Sequence, residues 1–285
     1  MTLFLLLTFL LSSVFNSDTK DIIIGSHNLH GFKSSSIYHK QCLETHGGIW
    51  MGQELWLTEK QLPCMQQLGT QFIARSGMED AVSSGILRGR PFGGVSIAWS
   101  HDLDHLITPL TSYKHKRIVA AQLQASIGKI LFISVYMPFL DSRNRDRCRS
   151  EALETISMID SIIDDHPHHL FVIGGDLNCQ LNGESPFDDL WDDLSSKRNF
   201  AYCSQRFGAP GYTYCHESLG QRKLNDHFIV SRQLFDDGLC SNYRIIEDGH
   251  NPSDHLPITM TIRLTVQSNE MDHRSPSVSP TVKWS

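Results

Sequence analysis

Short runs of β-branched and aromatic residues, bounded by Gly, Pro or polar residues, recur along residues 21–264. Runs of this kind are typical of buried β-strands. One of them, HLFVIGGD, is followed at once by LNCQ. Because Gly and Asp favour turns, we expect the strand to stop at Gly174 and Gly175 and to present Asp176 and Asn178 beyond a turn. The other strand-like segments are DIIIGSHN, GIWMGQE, GGVSIAWS, RIVAAQLQ, KILFISVYMP, DHFIVS and LPITMTIRL.

Helical patterns interrupt this series of strands. RDRCRSEALETISMIDSIIDD places Ala152, Ile156, Ile159 and Ile163 on one face, the pattern of a surface helix. SSIYHKQCLETH and SPFDDLWDDLSSK are weaker helix candidates, each opened by a serine that can cap the first turn. RSGMEDAVSSGILRGRPFGG is polar and glycine-rich, which indicates an exposed loop. The whole pattern predicts one α/β or α+β domain whose sheets are covered by helices.

Size and charge exclude few functions. The chain has 285 residues, 40% of them hydrophobic and 20% charged, which is enough for a large core. Its 25 basic and 31 acidic residues leave a net charge of -6, so nucleic acid would need a local basic surface or bound cations. The seven cysteines include no Cys-x-x-Cys pair, which favours reduced thiols over a zinc site or a disulfide framework.

The two ends of the chain differ from the segment between them. Residues 1–20 begin with MTLFLLLTFLLSSVF, which falls short of the ~20 apolar residues of a membrane span, and form either a secretory signal peptide or an apolar leader. Residues 265–285 are rich in Ser, Pro and charge, so we expect a disordered tail or a linker. The folded domain is therefore predicted at residues 21–264. A cleaved signal would make the protein secreted.

Polar side chains stand at six predicted strand ends. Open sheets bind ligands at the ends of their strands, so these side chains can meet in one crevice. Carboxylate and amide oxygens suit Mg²⁺, with Mn²⁺ as the alternative, and together with a phenol and an imidazole they suit the cleavage of a phosphoester. The residues are Asn28, Glu54, Tyr136, Asp176, Asp226 with His227, and Asp254 with His255.

The order of these residues resembles the endonuclease/exonuclease/phosphatase superfamily. The matching motifs are N-x-H-G, Q-E-L-W, S-V-Y-M-P, G-G-D-L-N, L-N-D-H-F-I-V-S and S-D-H-L-P-I. The order and spacing of the segments TYCHESLGQRKLNDHFIVS and SDHLP are most similar to those in the endonuclease domain of non-LTR retrotransposon polyproteins. The resemblance implies a DNase I-like, four-layer sandwich of two packed mixed β-sheets flanked by helices. It also implies a Mg²⁺-dependent DNA endonuclease of retroelement type, located in the nucleus.

Three positions depart from the superfamily pattern. His30 stands where apurinic-site nucleases usually carry an acidic residue, and Phe139 stands where an asparagine commonly follows the proline. Asn225 replaces the usual apolar residue before Asp226. These departures weaken an assignment to abasic-site repair more than one to phosphodiester cleavage.

Cleavage of an anionic phosphodiester needs charge neutralisation, an activated water and stabilisation of the oxyanion. We expect Glu54 to hold the divalent ion, with Asn28 and Asp254 as ligands directly or through water. Asp176 is expected to accept the proton of the attacking water. Asn178, on the same side in an extended chain, is expected to orient that water or to donate to the phosphate.

Two further side chains are expected to act on the phosphate. His255 is the expected cationic donor, kept charged by Asp226. Tyr136 is expected to donate to the phosphate or to assist the leaving group.

The partner implied by the resemblance is DNA, held mostly through its phosphates, with duplex shape rather than base identity deciding the target. Lys116 and Arg117 in SYKHKR, and Arg88 and Arg90 in the glycine-rich loop, are the candidate phosphate contacts; the alternative is solvated surface charge. The sequence gives no sign of an obligate protein partner.

Three other functions stay open at this point. The chain is also compatible with a secreted DNase or a lipid or inositol phosphodiesterase of the same superfamily. The less favoured alternatives are an inactive binding module and a fragment of a retroelement. An inactive copy would have no physical reason to keep Asn28, Glu54, Asp176, Asp254 and His255 together.

Overall fold

The computed structural model describes residues 17–78, 85, 89–208, 211–216 and 218–267. Most of the predicted leader and tail, and part of the glycine-rich loop, lie outside these residues. The strands are β1 Ser17–Asn28, β2 Ile49–Gln53, β3 Gln71–Arg75, β4 Val95–Trp99, β5 Ile107–Pro109, β6 Ile118–Ala125, β7 Gly128–Tyr136, β8 Leu170–Asp176, β9 Phe200–Tyr202, β10 Tyr214–Cys215, β11 Arg222–Lys223, β12 Asp226–Ser231, β13 Cys240–Ile245 and β14 Ile258–Gln267. The α-helices are α1 Phe32–His46, α2 Arg145–Asp164, α3 Asp188–Arg198, α4 Cys203–Arg206 and α5 Arg232–Asp236, and 3-10 helices span Glu59–Leu68 and His101–Leu103.

Two six-stranded sheets form the centre of the molecule. The first has the strand order β13-β14-β1-β2-β4-β3, and the second has the order β5-β6-β7-β8-β12-β9. Each sheet is mixed: β1 pairs in parallel with β2, and β7 in parallel with β8, while their other neighbours are antiparallel. Strands β10 and β11 form a separate short ribbon.

The sheets pack face to face and carry helices on their outer faces. Met51 and Phe228 belong to the apolar cluster between the sheets. Helix α1 and the Glu59–Leu68 segment cover the first sheet, and helices α2 and α3 cover the second. On α2, the face predicted from helical spacing is the buried one. This arrangement confirms the predicted four-layer sandwich of two mixed sheets flanked by helices.

The strands that the sequence did not predict lie mainly at sheet edges. β3, β5, β9 and β13 are each the outermost strand of a sheet; β3, β5 and β13 mix exposed polar with apolar residues, and β9 is only three residues long. The predicted serine caps were wrong: Gly31 precedes α1 and Phe187 precedes α3. Helix α1 starts three residues earlier than its serines suggested because Phe32 is fully buried in the core beneath it.

The predicted turn at Gly174 and Gly175 was also wrong, because β8 continues through both glycines to Asp176. A Cβ atom at Gly175 would lie 1.9 Å from the carbonyl oxygen of Val135 on the neighbouring strand β7. A Cβ atom at Gly174 would lie 2.6 Å from the sulfur of Met51 between the sheets. The glycines therefore allow close packing around a buried strand, and the strand itself carries Asp176 into place.

Two further features concern the chain as a whole. Among the described residues, no helix combines the length and apolar character needed to cross a membrane. All seven cysteines lie in the described part of the chain, and they are free thiols.

Candidate active site

Strand ends from both sheets meet at one edge of the sandwich. Asn28 ends β1, and Glu54 directly follows β2, its parallel neighbour. Tyr136 ends β7 and is the register partner of Asp176 at the end of β8. Asp226 begins β12 opposite Asp176, since β12 runs antiparallel to β8. The last site residue, His255, precedes β14.

A hydrogen-bonded chain connects four of these side chains across the gap between the sheets. The Nδ2 atom of Asn28 donates to Glu54 Oε1 at 3.0 Å and to Asp176 Oδ2 at 2.9 Å. The hydroxyl of Tyr136 donates to the same Glu54 oxygen at 2.9 Å. Asn28 therefore holds the two carboxylates at a fixed spacing through its amide nitrogen. Its expected role as a metal ligand stays a prediction.

A second group continues from Asp176 away from Glu54. His255 Nδ1 lies 2.8 Å from Asp226 Oδ2, and its other ring nitrogen lies 3.8 Å from Asp176 Oδ2. All three side chains are buried. One ligand atom from each lies within 4.8 Å of the others, a spacing that can hold a metal ion. The predicted proton acceptor, cationic donor and orienting carboxylate thus share one pocket.

Burial and charge shift the protonation of this group. Burial raises the pKa of Asp176 to about 7, assisted by the charge of Asp226 and opposed by that of His255. For His255, burial lowers the pKa, but the charges of Asp226 and Asp176 outweigh it and raise the pKa to about 10. A carboxyl group that titrates near neutrality beside a protonated imidazole is suited to accepting a proton near an anionic substrate.

Tyr136 has the opposite electrostatic character. Burial raises its pKa well above the ordinary value of a phenol, and the charges of Glu54 and Asp176 raise it further. The hydroxyl therefore stays protonated at neutral pH and acts as a hydrogen-bond donor.

Asp254 lies beside the site and pairs with His30. His30 Nδ1 is 2.7 Å from Asp254 Oδ1, and the His30 backbone N–H donates to Asn28 Oδ1 at 3.1 Å. The hydrogen bond that the His30 ring donates to Asp254 raises the pKa of His30. Burial acts to raise the pKa of Asp254, but His30 and His255 lower it overall. The imidazole that departs from the superfamily pattern thus holds the neighbouring carboxylate in its ionised form.

The loops that carry these side chains have unusual backbone. His30, Glu54, Trp56 and Asn178 all have φ near +50°, which is uncommon for residues other than glycine. Such conformations persist where surrounding contacts impose them and are concentrated at functional sites.

The extended geometry predicted for Asn178 was therefore wrong, because its φ of 50° turns the chain after Asp176. Its backbone N–H donates to Asp176 Oδ1 at 2.9 Å, and its side-chain Nδ2 donates to the carbonyl of Met137 at 2.9 Å. Asn178 thus fixes the carboxylate of Asp176. Its contact with water or phosphate stays a prediction.

The predicted basic contacts line a cleft next to Glu54. The cleft has a volume of about 680 Å³, and Lys116, Arg117 and Arg90 contribute to its walls. Arg117 is largely buried and donates to Glu151 Oε2 at 2.8 Å, so part of its charge is already neutralised. The guanidinium of Arg90 stacks 3.7 Å from the ring centre of Trp56. Arg88 lies outside the described residues.

Sequence reasoning missed three side chains that support the site. The Trp56 indole N–H donates to Glu54 Oε2 at 2.9 Å, and Ser253 Oγ donates to the carbonyl of Asn28 at 2.7 Å. Thr213 Oγ1 accepts from the backbone N–H of Asp226 at 3.0 Å. Trp56 and Ser253 stand within the quoted motifs QELW and SDHLP, and that position was the available signal.

Several solved structures have the same architecture as this chain. A 3′ phosphatase from Neisseria, bound to product DNA hairpin, is similar with a TM-score of 0.64 and 15% identity, over 85% of this chain and 99% of that one. An AP endonuclease from Archaeoglobus fulgidus has a TM-score of 0.62 and 15% identity, over 85% and 99%. The endonuclease domain of TRAS1, a telomere-specific non-LTR retrotransposon, has a TM-score of 0.62 and 16% identity, over 86% and 99%.

The fold is that of the endonuclease/exonuclease/phosphatase enzymes. The resemblance seen in the motifs is thereby confirmed at the level of the fold. No protein-family model matches the chain, and no curated protein sequence matches it significantly.

Proposed function

We propose that this protein is a divalent-metal-dependent phosphodiesterase that nicks DNA as a retroelement-type endonuclease. The observation that carries the proposal is the connected, mostly buried set from Asp226 through His255, Asp176 and Asn28 to Glu54. It places a proton acceptor, a protonated imidazole and a carboxylate beside a cleft with basic walls. The activities named for the similar structures support a nuclease, and the TRAS1 domain supports the retroelement type.

The residues fit a hard divalent cation such as Mg²⁺ or Mn²⁺. Glu54 and Asp254 offer carboxylate oxygens at the rim, and Asp226 has one buried oxygen, Oδ1, without a hydrogen-bond partner. Oxygen donors of this type are the preferred ligands of these ions. We assign the ion to Glu54, with Asn28 and Asp254 beside it, and the cluster of Asp176, Asp226 and His255 is the alternative position. A bound cation would neutralise phosphate charge and favour deprotonation of a water.

The side chains of the site supply the remaining steps, which are proton acceptance and hydrogen-bond donation. Asp176 accepts the proton of the attacking water, since its pKa is raised to about 7 and its position is fixed by the N–H of Asn178 and the amide of Asn28. His255, held by Asp226, donates from its other ring nitrogen toward the phosphate. Tyr136 donates a hydrogen bond and keeps Glu54 oriented.

The test is hydrolysis by the full chain of supercoiled plasmid, an abasic oligonucleotide and sphingomyelin, with and without Mg²⁺. We expect Mg²⁺-dependent nicking of the plasmid, which Asp176→Asn and His255→Ala each reduce by roughly a hundredfold or more. Asp236→Asn, at an exposed position on α5, is the matched control. Sphingomyelin hydrolysis without nicking would replace the proposal with a lipid phosphodiesterase, and DNA binding without any cleavage would replace it with an inactive binding module.

The metal position has its own test. Isothermal titration with Mn²⁺ should show weaker binding to Glu54→Gln than to the unmodified chain. If Asp226→Asn weakens Mn²⁺ binding and Glu54→Gln does not, the ion belongs to the buried cluster.

A further inference from the structure

We propose that the cleft beside Glu54 contains a stacking subsite for an unpaired nucleobase next to the scissile phosphate. We call this subsite the aromatic slot and define it as Trp56, Arg90, Phe92 and Phe139. The inference rests on the proposed function, because it names which form of DNA the same site prefers.

The aromatic slot is continuous with the reacting groups. Trp56 donates its indole N–H to Glu54, and Glu54 and Tyr136 line the same cleft as the four slot residues. A nucleotide in the slot would therefore neighbour a phosphate that contacts the ion assigned to Glu54.

The slot presents flat surfaces that the protein itself leaves uncovered. Phe139 is 66% exposed and Phe92 is 53% exposed, although both line a concave cleft. Exposed aromatic side chains in a cleft usually mark a surface that a ligand covers. At the same place the guanidinium carbon of Arg90 lies over the Trp56 ring, 3.7 Å from its centre, and a guanidinium plane is itself a stacking surface for bases.

The charges of the cleft fit a nucleotide better than a purely apolar ligand. Lys116 and Arg147 stand on its walls with Arg90. The carboxylate of Glu151 is shared among Lys116, Arg117 and Arg147, so the three cations outnumber it. Aromatic rings with cationic neighbours are the combination by which proteins bind single-stranded nucleic acid, with bases on the rings and phosphates on the cations. A base can reach such a slot only when it is unpaired or leaves the stack, which costs a few kcal/mol in a duplex.

DNA with an unpaired nucleotide beside the cleavage position should therefore bind more tightly than fully paired DNA of the same sequence. The test compares cleavage of a matched pair of oligonucleotide duplexes, with and without a short bulge, by the full chain in Mg²⁺. We expect KM to be about tenfold lower for the bulged duplex, and Phe139→Ala or Phe92→Ala to abolish most of that difference. Phe139→Trp should preserve it, since a larger ring still offers a stacking face.

Ile127→Ala is the control variant. Ile127 is also an exposed apolar residue, at 44%, but it precedes β7 at the end of that strand opposite to Tyr136. We expect this variant to keep the preference for the bulged duplex.

A direct readout separates this inference from the proposed function. The bulged base is replaced by 2-aminopurine, whose fluorescence is quenched by stacking, and the oligonucleotide is titrated with the Asp176→Asn variant so that it stays intact. Quenching that Phe139→Ala removes supports the slot. Equal KM values for the two duplexes, or binding without quenching, would overturn the slot, while nicking would still support the proposed function. If the unmodified chain cleaves nothing but the quenching persists, the proposed function alone is overturned.

Discussion

Substitution of Asp226 by asparagine tests whether His255 works as a cation. The Asp226 carboxylate lies 2.8 Å from His255 Nδ1 and is fully buried. Burial by itself lowers the pKa of His255, and Asp226 is the strongest influence that raises it to about 10. Without the carboxylate, burial is opposed only by the charges of Asp176 and Asp254, so we expect this pKa to fall toward its ordinary value near 6.5.

The size of the effect follows from the change in protonation. At pH 7.5 a group with a pKa of about 10 is almost fully charged, whereas a group with a pKa of 6.5 is charged in roughly a tenth of the molecules. Asp226→Asn should therefore nick several-fold to about tenfold more slowly at pH 7.5. The loss should shrink as the pH is lowered toward 6, because the imidazole regains its proton.

The assay is the initial rate of plasmid nicking between pH 6 and pH 8.5 at constant Mg²⁺, expressed as the ratio of variant to unmodified chain. The ratio removes the shared fall in rate below about pH 7 that protonation of Asp176 causes. Because Asp226 raises the pKa of Asp176 and His255 lowers it, the double variant with His255→Gln is also measured: it has no imidazole, and its two substitutions shift the pKa of Asp176 in opposite directions. Its ratio should stay low at every pH. Equal acid recovery in the single and double variants, or a single variant within threefold of the unmodified chain at pH 7.5, would refute the role given to His255.

Three further substitutions test other parts of the structure. Tyr136→Phe removes the hydrogen-bond donor to Glu54, so the nicking rate should fall roughly tenfold to a hundredfold. The pH profile of the rate should stay the same, because the raised pKa of Tyr136 keeps it protonated. A displaced midpoint of that profile would contradict this prediction. Gly175→Ala places a Cβ atom 1.9 Å from the carbonyl oxygen of Val135. Urea denaturation should therefore show that the free energy of unfolding falls by at least about 2 kcal/mol, and unchanged stability would contradict this. Burial lowers the pKa of His39 to about 4. Below pH 6.5 the unfolded chain therefore binds a proton on this residue that the folded chain does not bind. The free energy of unfolding should fall by roughly 3 kcal/mol as the pH drops from about 6.5 to about 4. His39→Leu should lack that part of the loss in urea denaturation at pH 7.5 and pH 4.5, and equal losses in both proteins would contradict the prediction.

The positions of the catalytic candidates could be predicted because they stand where strongly apolar runs end. Buried central strands such as β7 and β8 are apolar on both faces, so their ends are visible in the sequence. The order of motifs then indicated that Tyr136, Asp176 and His255 belong to one crevice, which spacing along the chain does not reveal.

Features set by contacts between distant segments could not be predicted. Gly174 and Gly175 looked like a turn because the sequence does not show that Val135 and Met51 press against them. The left-handed backbone of Asn178 depends on hydrogen bonds from its N–H to Asp176 and from its side chain to a carbonyl on another loop. Local preference describes such residues poorly, because tertiary contacts decide their conformation.

Two of the three departures from the superfamily pattern, His30 and Phe139, lie around Trp56, and the third, Asn225, directly precedes Asp226. The His30 ring packs 4.5 Å from the Trp56 ring, and Phe139 lines the same cleft as Trp56. Asp226, His255 and Asp176, in contrast, form the buried contacts described above without either residue. Under the proposed function, we expect a change of side chain at the cleft wall to alter which DNA fits, and a change in the buried set to alter whether the phosphate is cleaved at all. We therefore expect substrate preference to respond to Phe139, and the pH dependence of the rate to respond to Asp226.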